Sequence, residues 1–476
     1  MPRSSHVVAI VGGGLSGAAL AGLLLSTRSA EIDVHLIEPL GEPAWRRAAG
    51  DGGLSRILNL PAGRMSLYAE GPDDFVRWAQ LHGPRLGWPL AASANTASYL
   101  PRPLFFHYVQ SALESAEAWA AADRPTPLVR HTGRIRRLVA AGGRWTVELD
   151  GGSRIVADSV VLAPAIRAPA TPFAVDGAGD RFIADPTATD ALAGVGRDDR
   201  LLVAGTGLMM VEVIAALDRA RHRGQVTAIS PHGLLPRVRG VSEQHPPVLT
   251  EADMRQGIRH AVGRLRAAIA EGKADWRTAI DSLRPVLNQL WSTLPVADQD
   301  RLERHLRPFW EVHRHRMPAE AADQLLRWAA RGQLRIVAGR VLGVEGQAGG
   351  AEVVVQPRPF RSRERWRFDW VINCSAPASL LAAPRDHLTE TLLAAGLARP
   401  NRGGTGFELA AGGRVIDAAG QKLDNLFVVG QARLGHVFDE ARIPTLRPQL
   451  EALAAHLTRV ASHHPGRRKA RGDHIS

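Results

Sequence analysis

Three glycines close to the amino terminus have the spacing of a loop that holds the pyrophosphate of a dinucleotide. An apolar, β-branched run at residues 6–11 precedes the loop, and an apolar run at residues 18–25 follows it as an expected helix. In that setting the glycines permit a tight turn, a close approach of phosphate to the backbone, and close helix–strand packing. The phosphates then lie at the helix amino terminus, where free N–H groups and the helix dipole favour anions. The residues expected to contact the cofactor here are Gly12, Gly14, Leu15, Ser16 and Gly17.

A carboxylate ends the next strand of this strand–loop–helix–strand pattern. Glu38 is the last residue of the alternating run DVHLIE, which begins at Asp33. A carboxylate in this position can accept hydrogen bonds from both ribose hydroxyls of an adenosine. The loop and Glu38 together predict a dinucleotide site, and the alternative of a chance glycine-rich turn does not account for this context.

A second glycine loop follows the strand at residues 200–204. Gly205 and Gly207 keep the spacing of the phosphate turn, whereas Met210 stands where a third glycine would be. The next strand ends in Ser230 rather than in an acid, so a 2′-phosphate on the ribose is not repelled. Basic residues lie just beyond this strand and could pair with such a phosphate, which favours NADPH over NADH. The alternative is that they are ordinary loop cations. These residues are His232, Arg237 and Arg239.

The single cysteine excludes one class of two-nucleotide flavoprotein. Cys374 has no partner in the sequence, so the chain cannot form the redox-active dithiol of a disulfide reductase. Electrons that reach a flavin must then go to oxygen, to a bound substrate or to a partner. One cysteine also allows no intrachain disulfide, which agrees with a reducing cytoplasm.

Three other features of the sequence are the net charge, a run of histidines and arginines, and an uncharged stretch. They do not predict a nucleic-acid site, a metal site or a membrane span. The net charge is +12, but its arginines are scattered along the chain without a recognition motif. The run His313-Arg314-His315-Arg316 has the wrong helical spacing for a pair of metal ligands, and its arginines repel cations. The uncharged stretch at residues 7–25 contains the glycine loop and is therefore not expected to cross a membrane.

The predicted strands and helices around these residues form two similar sets. Each glycine loop lies in a β–α–β pattern, and each pattern is followed by short alternating strands with glycine turns, which predict a β-meander. We therefore expect an α/β fold with two Rossmann-like dinucleotide-binding domains, one for FAD and one for NADP, and a helical insertion. The insertion either covers a substrate or makes packing or homodimer contacts. The expected boundaries are 1–170 for the first part of the FAD domain, 195–365 for the NAD(P) domain with its insertion at 250–332, 366–465 for the return segment of the FAD domain, and 466–476 for a basic tail.

Several stretches resemble a known family over nearly the whole chain. They include VAIVGGGLSGAAL, ILNLPAGRMS, YLPRPLFFHYVQ, LLVAGTGLMMVEV, LRPFWEVHRHRM, VINCSAP and RIPTLRPQ, in this order. The chain is similar to the bacterial FAD/NAD(P)-binding proteins that include flavin-dependent N-hydroxylating monooxygenases, such as aspartate N-monooxygenases. The resemblance implies contacts with FAD or the nicotinamide for Asn59, Pro61, Arg64, Met65, Arg102, Tyr108, Gly430 and Gln431. It implies contacts with NADP for Gly205, Gly207 and the stretch 233–237.

The resemblance also implies an activity. NADPH would reduce FAD, and the reduced flavin would form a C4a-hydroperoxide with molecular oxygen that hydroxylates an amine or amino-acid-like small molecule. Arg316 and Arg442 are candidates for binding a substrate carboxylate, and His436 is a candidate for proton transfer. The alternatives are an NAD(P)H oxidoreductase or oxidase without oxygen transfer, and a non-catalytic flavin-binding protein.

Overall fold

The computed structural model describes residues 5–27, 31–39, 41, 58, 60–124, 126–164, 169–240, 245–359, 362–382, 385–433 and 443–463. These residues form two compact units. The described residues up to 164 and from 379 onward form the first unit, and residues 169–378 form the second. The predicted α/β class with two Rossmann-like units is confirmed.

The first unit is built on a seven-stranded sheet and a separate three-stranded meander. The sheet has the order β16-β17-β18-β7-β1-β2-β3, and its pairs from β18 to β3 are parallel. The meander is the antiparallel sheet β4-β5-β6. The strands are β1 His6–Val11, β2 Ile32–Glu38, β3 Leu128–Thr132, β4 Ile135–Ala141, β5 Arg144–Leu149, β6 Arg154–Ala157, β7 Ser159–Leu162, β16 Leu409–Ala410, β17 Arg414–Ile416 and β18 Lys422–Val428.

Five α-helices belong to this unit among its described residues: α1 Leu15–Leu25, α2 Asp74–His82, α3 Arg102–Ala121, α12 His387–Ala394 and α13 Ile443–Ser462. Helix α1 is apolar on all sides, and neighbouring strands and helices cover it on all sides. It packs on β1 and β2, and α3 and α13 cover its outer surface. The largest apolar cluster of the unit surrounds this helix, so the glycine loop lies at the end of a tightly held element.

The second unit repeats the arrangement around a mixed eight-stranded sheet. Its path is β14-β13-β12-β11-β10-β15-β9, β8 pairs with β12, and β13 and β14 are the antiparallel members. The strands are β8 Ala174–Asp176, β9 Phe182–Ile183, β10 Leu201–Ala204, β11 Val226–Ser230, β12 Leu334–Gln347, β13 Gly350–Pro357, β14 Glu364–Phe368 and β15 Trp370–Asn373. Helix α4, Leu208–Arg219, follows β10 as α1 follows β1.

Short helices fill the predicted insertion between β11 and β12. They are α5 Glu251–Arg255, α6 Ile258–Ala270, α7 Trp276–Ser282, α8 Leu287–Thr293, α9 Val296–Arg301, α10 Arg307–Arg314 and α11 Ala319–Ala330. Thr250 and Asp253 form a reciprocal capping box at the start of α5. A small apolar cluster that includes Met254, Leu283 and Leu290 packs the insertion on itself.

The border between the two units differs from the expected one. Residues 366–378, which we assigned to the return segment of the first domain, belong to the second unit because β15 pairs in parallel with β10. The two ends of the second unit meet. Pro169 and Pro377 form an isolated antiparallel bridge, and the Ala170 N–H donates to the Ala376 carbonyl over 2.9 Å. Among the described residues, no helix is long and apolar enough to cross a membrane.

Candidate dinucleotide-binding sites

Backbone contacts explain two glycines of the first loop. Gly12 has φ of +111°, and a Cβ atom on it would lie 2.2 Å from the Ala163 carbonyl oxygen, beyond the end of β7. A Cβ atom on Gly17 would lie 1.9 Å from the Gly12 carbonyl oxygen. Both distances are far below van der Waals contact, so no other residue type fits. The loop is therefore pressed between β1, β7 and the first turn of α1.

Gly14 has the opposite environment. A Cβ atom on it would meet no described atom within 4 Å, so this residue faces open space. It is the N-cap of α1, and no described side chain caps the helix there, nor does its first turn contain an acid. The helix amino terminus thus carries the positive end of the helix dipole and is unobstructed by described atoms on the Gly14 side, which fits the pyrophosphate of FAD.

Glu38 and Gly430 complete the surroundings of this loop. The Gly13 N–H donates to Glu38 Oε2 over 2.8 Å, which places the carboxylate directly beside the glycine turn. Gly430 has φ of +71°, and a Cβ atom on it would lie 2.4 Å from Ser16 Oγ. The structure thereby brings the return segment after β18 to the amino terminus of α1, so four predicted residues meet at one edge of the sheet: Gly14, Ser16, Glu38 and Gly430.

The other residues predicted near the flavin are more dispersed. Arg64 is exposed on a 3₁₀ turn, and Met65 packs in the core. Arg102 begins α3, whereas the Tyr108 hydroxyl lies further along that helix and donates to Asp74 Oδ2 over 2.6 Å. Asn59, His436 and Arg442 lie outside the described residues, and so does the side chain of Gln431.

The second glycine loop has the same geometry in the second unit. Gly205 has φ of +121°, and a Cβ atom on it would lie 2.2 Å from the Cys374 carbonyl oxygen. Gly207 faces open space as the N-cap of α4, with no acid in the first turn of that helix. Met210, in the place of the third glycine, is fully buried. Helix α4 therefore accommodates a side chain where α1 accommodates none, and the phosphate turn is preserved.

The end of β11 is neutral and is held by hydroxyl groups. Ser230 Oγ lies 2.8 Å from Thr206 Oγ1 and accepts from the Gly233 N–H over 3.1 Å. Thr206 Oγ1 also donates to the Leu234 carbonyl over 2.6 Å. This network fixes the loop after β11 against the glycine turn. It places a serine, not a carboxylate, where an adenosine ribose is bound in Rossmann folds.

An aromatic residue that the sequence did not predict for this site lies beside the loop after β11. Phe309 on α10 is 46% exposed, and its ring centroid is 5.8 Å from that of His232. The Arg237 N–H donates to the Val312 carbonyl over 2.9 Å, which ties the loop to the same helix, and the Arg237 side chain is exposed. Sequence patterns could not find Phe309, because only the packing of the insertion brings it to the loop.

Arg316 does not have the accessible position that a substrate clamp needs. Its side chain is fully buried, and two of its nitrogens donate to the two carboxylate oxygens of Asp281, each over 3.1 Å. It also donates to the carbonyls of His313 and Arg277, and it stacks on Trp276 at 4.9 Å. The hypothesis that Arg316 binds a substrate carboxylate is therefore wrong. Its guanidinium instead joins α7 to the end of α10.

The thiol of the single cysteine is expected to be unreactive. Cys374 is buried, and burial together with the charge of Glu212 raises the pKa of its thiol well above the usual range. A protonated, inaccessible thiol is a poor nucleophile and a poor redox partner. One cysteine cannot form an intrachain disulfide, so the chain has no internal disulfide that could accept electrons from a flavin.

Comparisons with known proteins agree with this architecture. Residues 9–166 match a family model described as FAD-NAD(P)-binding. The fold is similar to that of the Kutzneria sp. 744 ornithine N-hydroxylase, with a TM-score of 0.64 and 15% identity over 96% of this chain and 100% of that chain. It is similar to L-lysine 6-monooxygenase from Pseudomonas syringae, with a TM-score of 0.61 and 16% identity over 96% and 99% of the two chains. No curated protein has a matching sequence.

A third solved structure is the cadaverine monooxygenase DfoA of Erwinia amylovora, bound to FAD. Its TM-score is 0.60 and its identity 13%, over 96% of this chain and 94% of that chain. Likeness at these identities establishes the fold, which is that of two-dinucleotide-domain flavoproteins.

Proposed function

We propose that this chain is an FAD-dependent, NADPH-using monooxygenase that hydroxylates the nitrogen of a small amine or amino-acid-like substrate. The observation that carries the proposal is the pair of open glycine loops, one at the amino terminus of α1 and one at that of α4. The fold likeness to ornithine, lysine and cadaverine monooxygenases supports the choice of an amine. The lone thiol supports a cytoplasmic location, because a reducing compartment does not require disulfides.

In this proposal the first unit holds FAD. The first-turn N–H groups of α1 bind the pyrophosphate, and Gly14 lets it approach the backbone. Glu38 accepts from the adenosine ribose while its Oε2 stays bonded to the Gly13 N–H. Gly430 brings the return segment to the same edge, next to Ser16. FAD, when bound, supplies hydride acceptance and oxygen activation, and the protein supplies position and the exclusion of water.

The second unit holds NADPH in the same way. The amino terminus of α4 binds the pyrophosphate, and the neutral end of β11 at Ser230 tolerates a 2′-phosphate. The exposed guanidinium of Arg237 provides a cation for that phosphate. The exposed ring of Phe309, which lies beside His232, provides an aromatic face at the rim, suited to stacking of the adenine ring.

A stopped-flow experiment tests the proposal. Purified protein is mixed anaerobically with NADPH while the flavin absorbance is followed, and the reduced protein is then mixed with oxygenated buffer containing ornithine, lysine, cadaverine or aspartate. We expect reduction that is faster with NADPH than with NADH. We also expect hydroxylamine formation coupled to NADPH consumption for at least one amine.

Two other outcomes separate the alternative functions. Reduction followed by release of hydrogen peroxide, with no hydroxylated product for any amine, indicates an oxidase. Bound FAD that NADPH does not reduce indicates a non-catalytic flavin protein. Purified protein without flavin, which also fails to take up added FAD, contradicts the proposal at its first step.

A further inference from the structure

A cleft of about 420 Å³ opens in the first unit beside the second half of α3. Its volume is within the range of sites that bind small molecules, roughly 300–1,000 Å³. Ser26, just past the carboxyl end of α1, lies on its rim. The glycine loop lies at the opposite end of this helix, whose 11 residues span about 16 Å at ~1.5 Å per residue. The cleft is therefore separate from the surface that fits the FAD pyrophosphate.

The lining of the cleft is aromatic with a single carboxylate. The rings of Tyr68, Trp78, Tyr108 and Trp119 line it together with Asp74. The other described residues of the lining are serines and alanines, so none of them carries a positive charge. Aromatic faces and a carboxylate attract cations, and the serine hydroxyls provide no competing charge.

Hydrogen bonds hold this lining in place without a ligand. The Tyr108 hydroxyl donates to Asp74 Oδ2 over 2.6 Å and accepts from the Leu67 N–H over 3.2 Å. Burial and the hydrogen bond to Asp74 raise the pKa of Tyr108, so the phenol stays protonated and orients the carboxylate. The Trp78 indole N–H donates to Ser111 Oγ over 3.1 Å.

Among the described residues, Arg77 forms a long ion pair with the carboxylate. An Arg77 nitrogen is 4.0 Å from Asp74 Oδ1, and the Arg77 side chain is 63% exposed. An ion pair this long from a solvent-exposed arginine contributes little. A cation that enters the cleft would gain both the carboxylate and the ring faces.

We propose that this cleft is a binding site for an organic ammonium cation, separate from the two nucleotide sites. The charged nitrogen contacts Asp74, and its alkyl groups contact the rings of Trp78 and Tyr68. This binding requires neither flavin nor turnover, so it stands or fails independently of the monooxygenase proposal.

Calorimetric titration with a charged and a neutral probe of equal shape tests the site. Choline carries a trimethylammonium group, and 3,3-dimethylbutan-1-ol has the same shape with carbon in place of the charged nitrogen. We expect saturable 1:1 binding of choline to the purified full-length protein, with a Kd of about 1 mM or tighter. We expect binding of the neutral alcohol to be weaker by about tenfold or more. Equal binding of the two probes, or no saturable binding of choline, overturns the proposal.

Matched variants locate the binding. Asp74→Asn should weaken choline binding by about tenfold or more, because the charge-assisted contact is lost. Trp78→Leu should weaken it by about fivefold. Asp73→Asn removes the same charge one residue away, outside the lining and without a capping hydrogen bond, and should change binding by less than about twofold.

Each variant's thermal unfolding and FAD content are measured alongside, so that a folding defect is recognised. Trp119→Leu serves as the second ring variant if Trp78→Leu does not fold. Equal losses for Asp74→Asn and Asp73→Asn indicate general charge attraction and overturn the assignment to this cleft.

Discussion

Gly12 and Gly14 belong to the same motif, but the structure gives them different reasons to be glycine. Gly12 has a positive φ and lies against a carbonyl of the neighbouring strand end, whereas Gly14 has an ordinary φ of −66° and an open side. The spacing of the glycines could be recognised in the sequence, because it is local. The Ala163 carbonyl that restricts Gly12 comes from a residue far along the chain, so sequence could not separate a folding requirement from a binding requirement.

These two glycines lead to opposite expectations for substitution. Gly14→Ala should lower stability by less than about 1 kcal/mol, as for an N-cap replacement, while it obstructs the approach of the pyrophosphate and lowers FAD affinity. Gly12→Ala should lower stability by about 2 kcal/mol or more, because it combines strain with a backbone clash. Denaturant unfolding of the FAD-free proteins and flavin titration measure the two effects. If Gly14→Ala binds FAD as tightly as the unchanged protein, α1 does not hold the pyrophosphate.

Among the secondary-structure elements, the contacts within the helical insertion were predicted least well from the sequence. The strand–glycine–helix patterns were predicted correctly because each has a local periodicity. Arg316 was misjudged because the type of a residue does not reveal that Asp281 and Trp276 enclose it. The strand at residues 370–373 was assigned to the wrong domain because its parallel partner, β10, lies far away in the sequence.

Phe309 and Leu326 provide a matched test of the insertion. Both are exposed apolar residues of the same insertion, but only Phe309 lies beside the loop after β11. Phe309→Ala should raise the Kd for NADP⁺ about fivefold, as expected for loss of one stacking contact worth ~1 kcal/mol. Leu326→Ala should leave that Kd unchanged. Titration of the oxidised protein with NADP⁺ gives the constants, and equal effects of the two variants would remove the role proposed for Phe309.

Glu311 makes the insertion sensitive to acid. Burial raises its pKa, but hydrogen bonds from His315 and Arg307 outweigh burial and lower the pKa from 4.5 to about 2. Because the folded-state pKa lies below the unfolded one, the carboxylate stabilises the fold above pH 4.5, and this contribution is lost as pH falls towards 2. Glu311→Gln should therefore be less stable than the unchanged protein at pH 7, with the difference shrinking below pH 4.5. Denaturant unfolding across this pH range measures it, and a difference independent of pH would contradict the shift.

At the scale of the whole molecule, the two units have separate apolar cores. The clusters of the first unit contain no residue from 169–378, and the sheet clusters of the second contain only residues from it. The duplication of one plan was predicted from the sequence because both copies contain the same short pattern. The residues at which the second copy begins and ends within the first were only partly predicted. These boundaries depend on pairing between strands that lie far apart in the sequence.

Separate cores predict separate responses to the two nucleotides. FAD should raise the unfolding temperature of one transition, and NADP⁺ should raise that of another, because a ligand stabilises the state that binds it. At a ligand concentration of about 100 times Kd, the expected stabilisation is about 2.7 kcal/mol for the unit concerned. Differential scanning calorimetry with each nucleotide alone measures this. A single transition that both ligands shift equally would indicate that the units unfold together.

Pro169 and Pro377 hold the two ends of the second unit side by side. A segment whose first and last residues are held side by side enters and leaves its host at one point, so its removal leaves a short gap to close. Domains with adjacent ends are those that tolerate insertion and transplantation. The second unit is therefore a suitable place for exchange, and we expect that a related Rossmann-like unit with a different nucleotide preference could be grafted between the same two prolines.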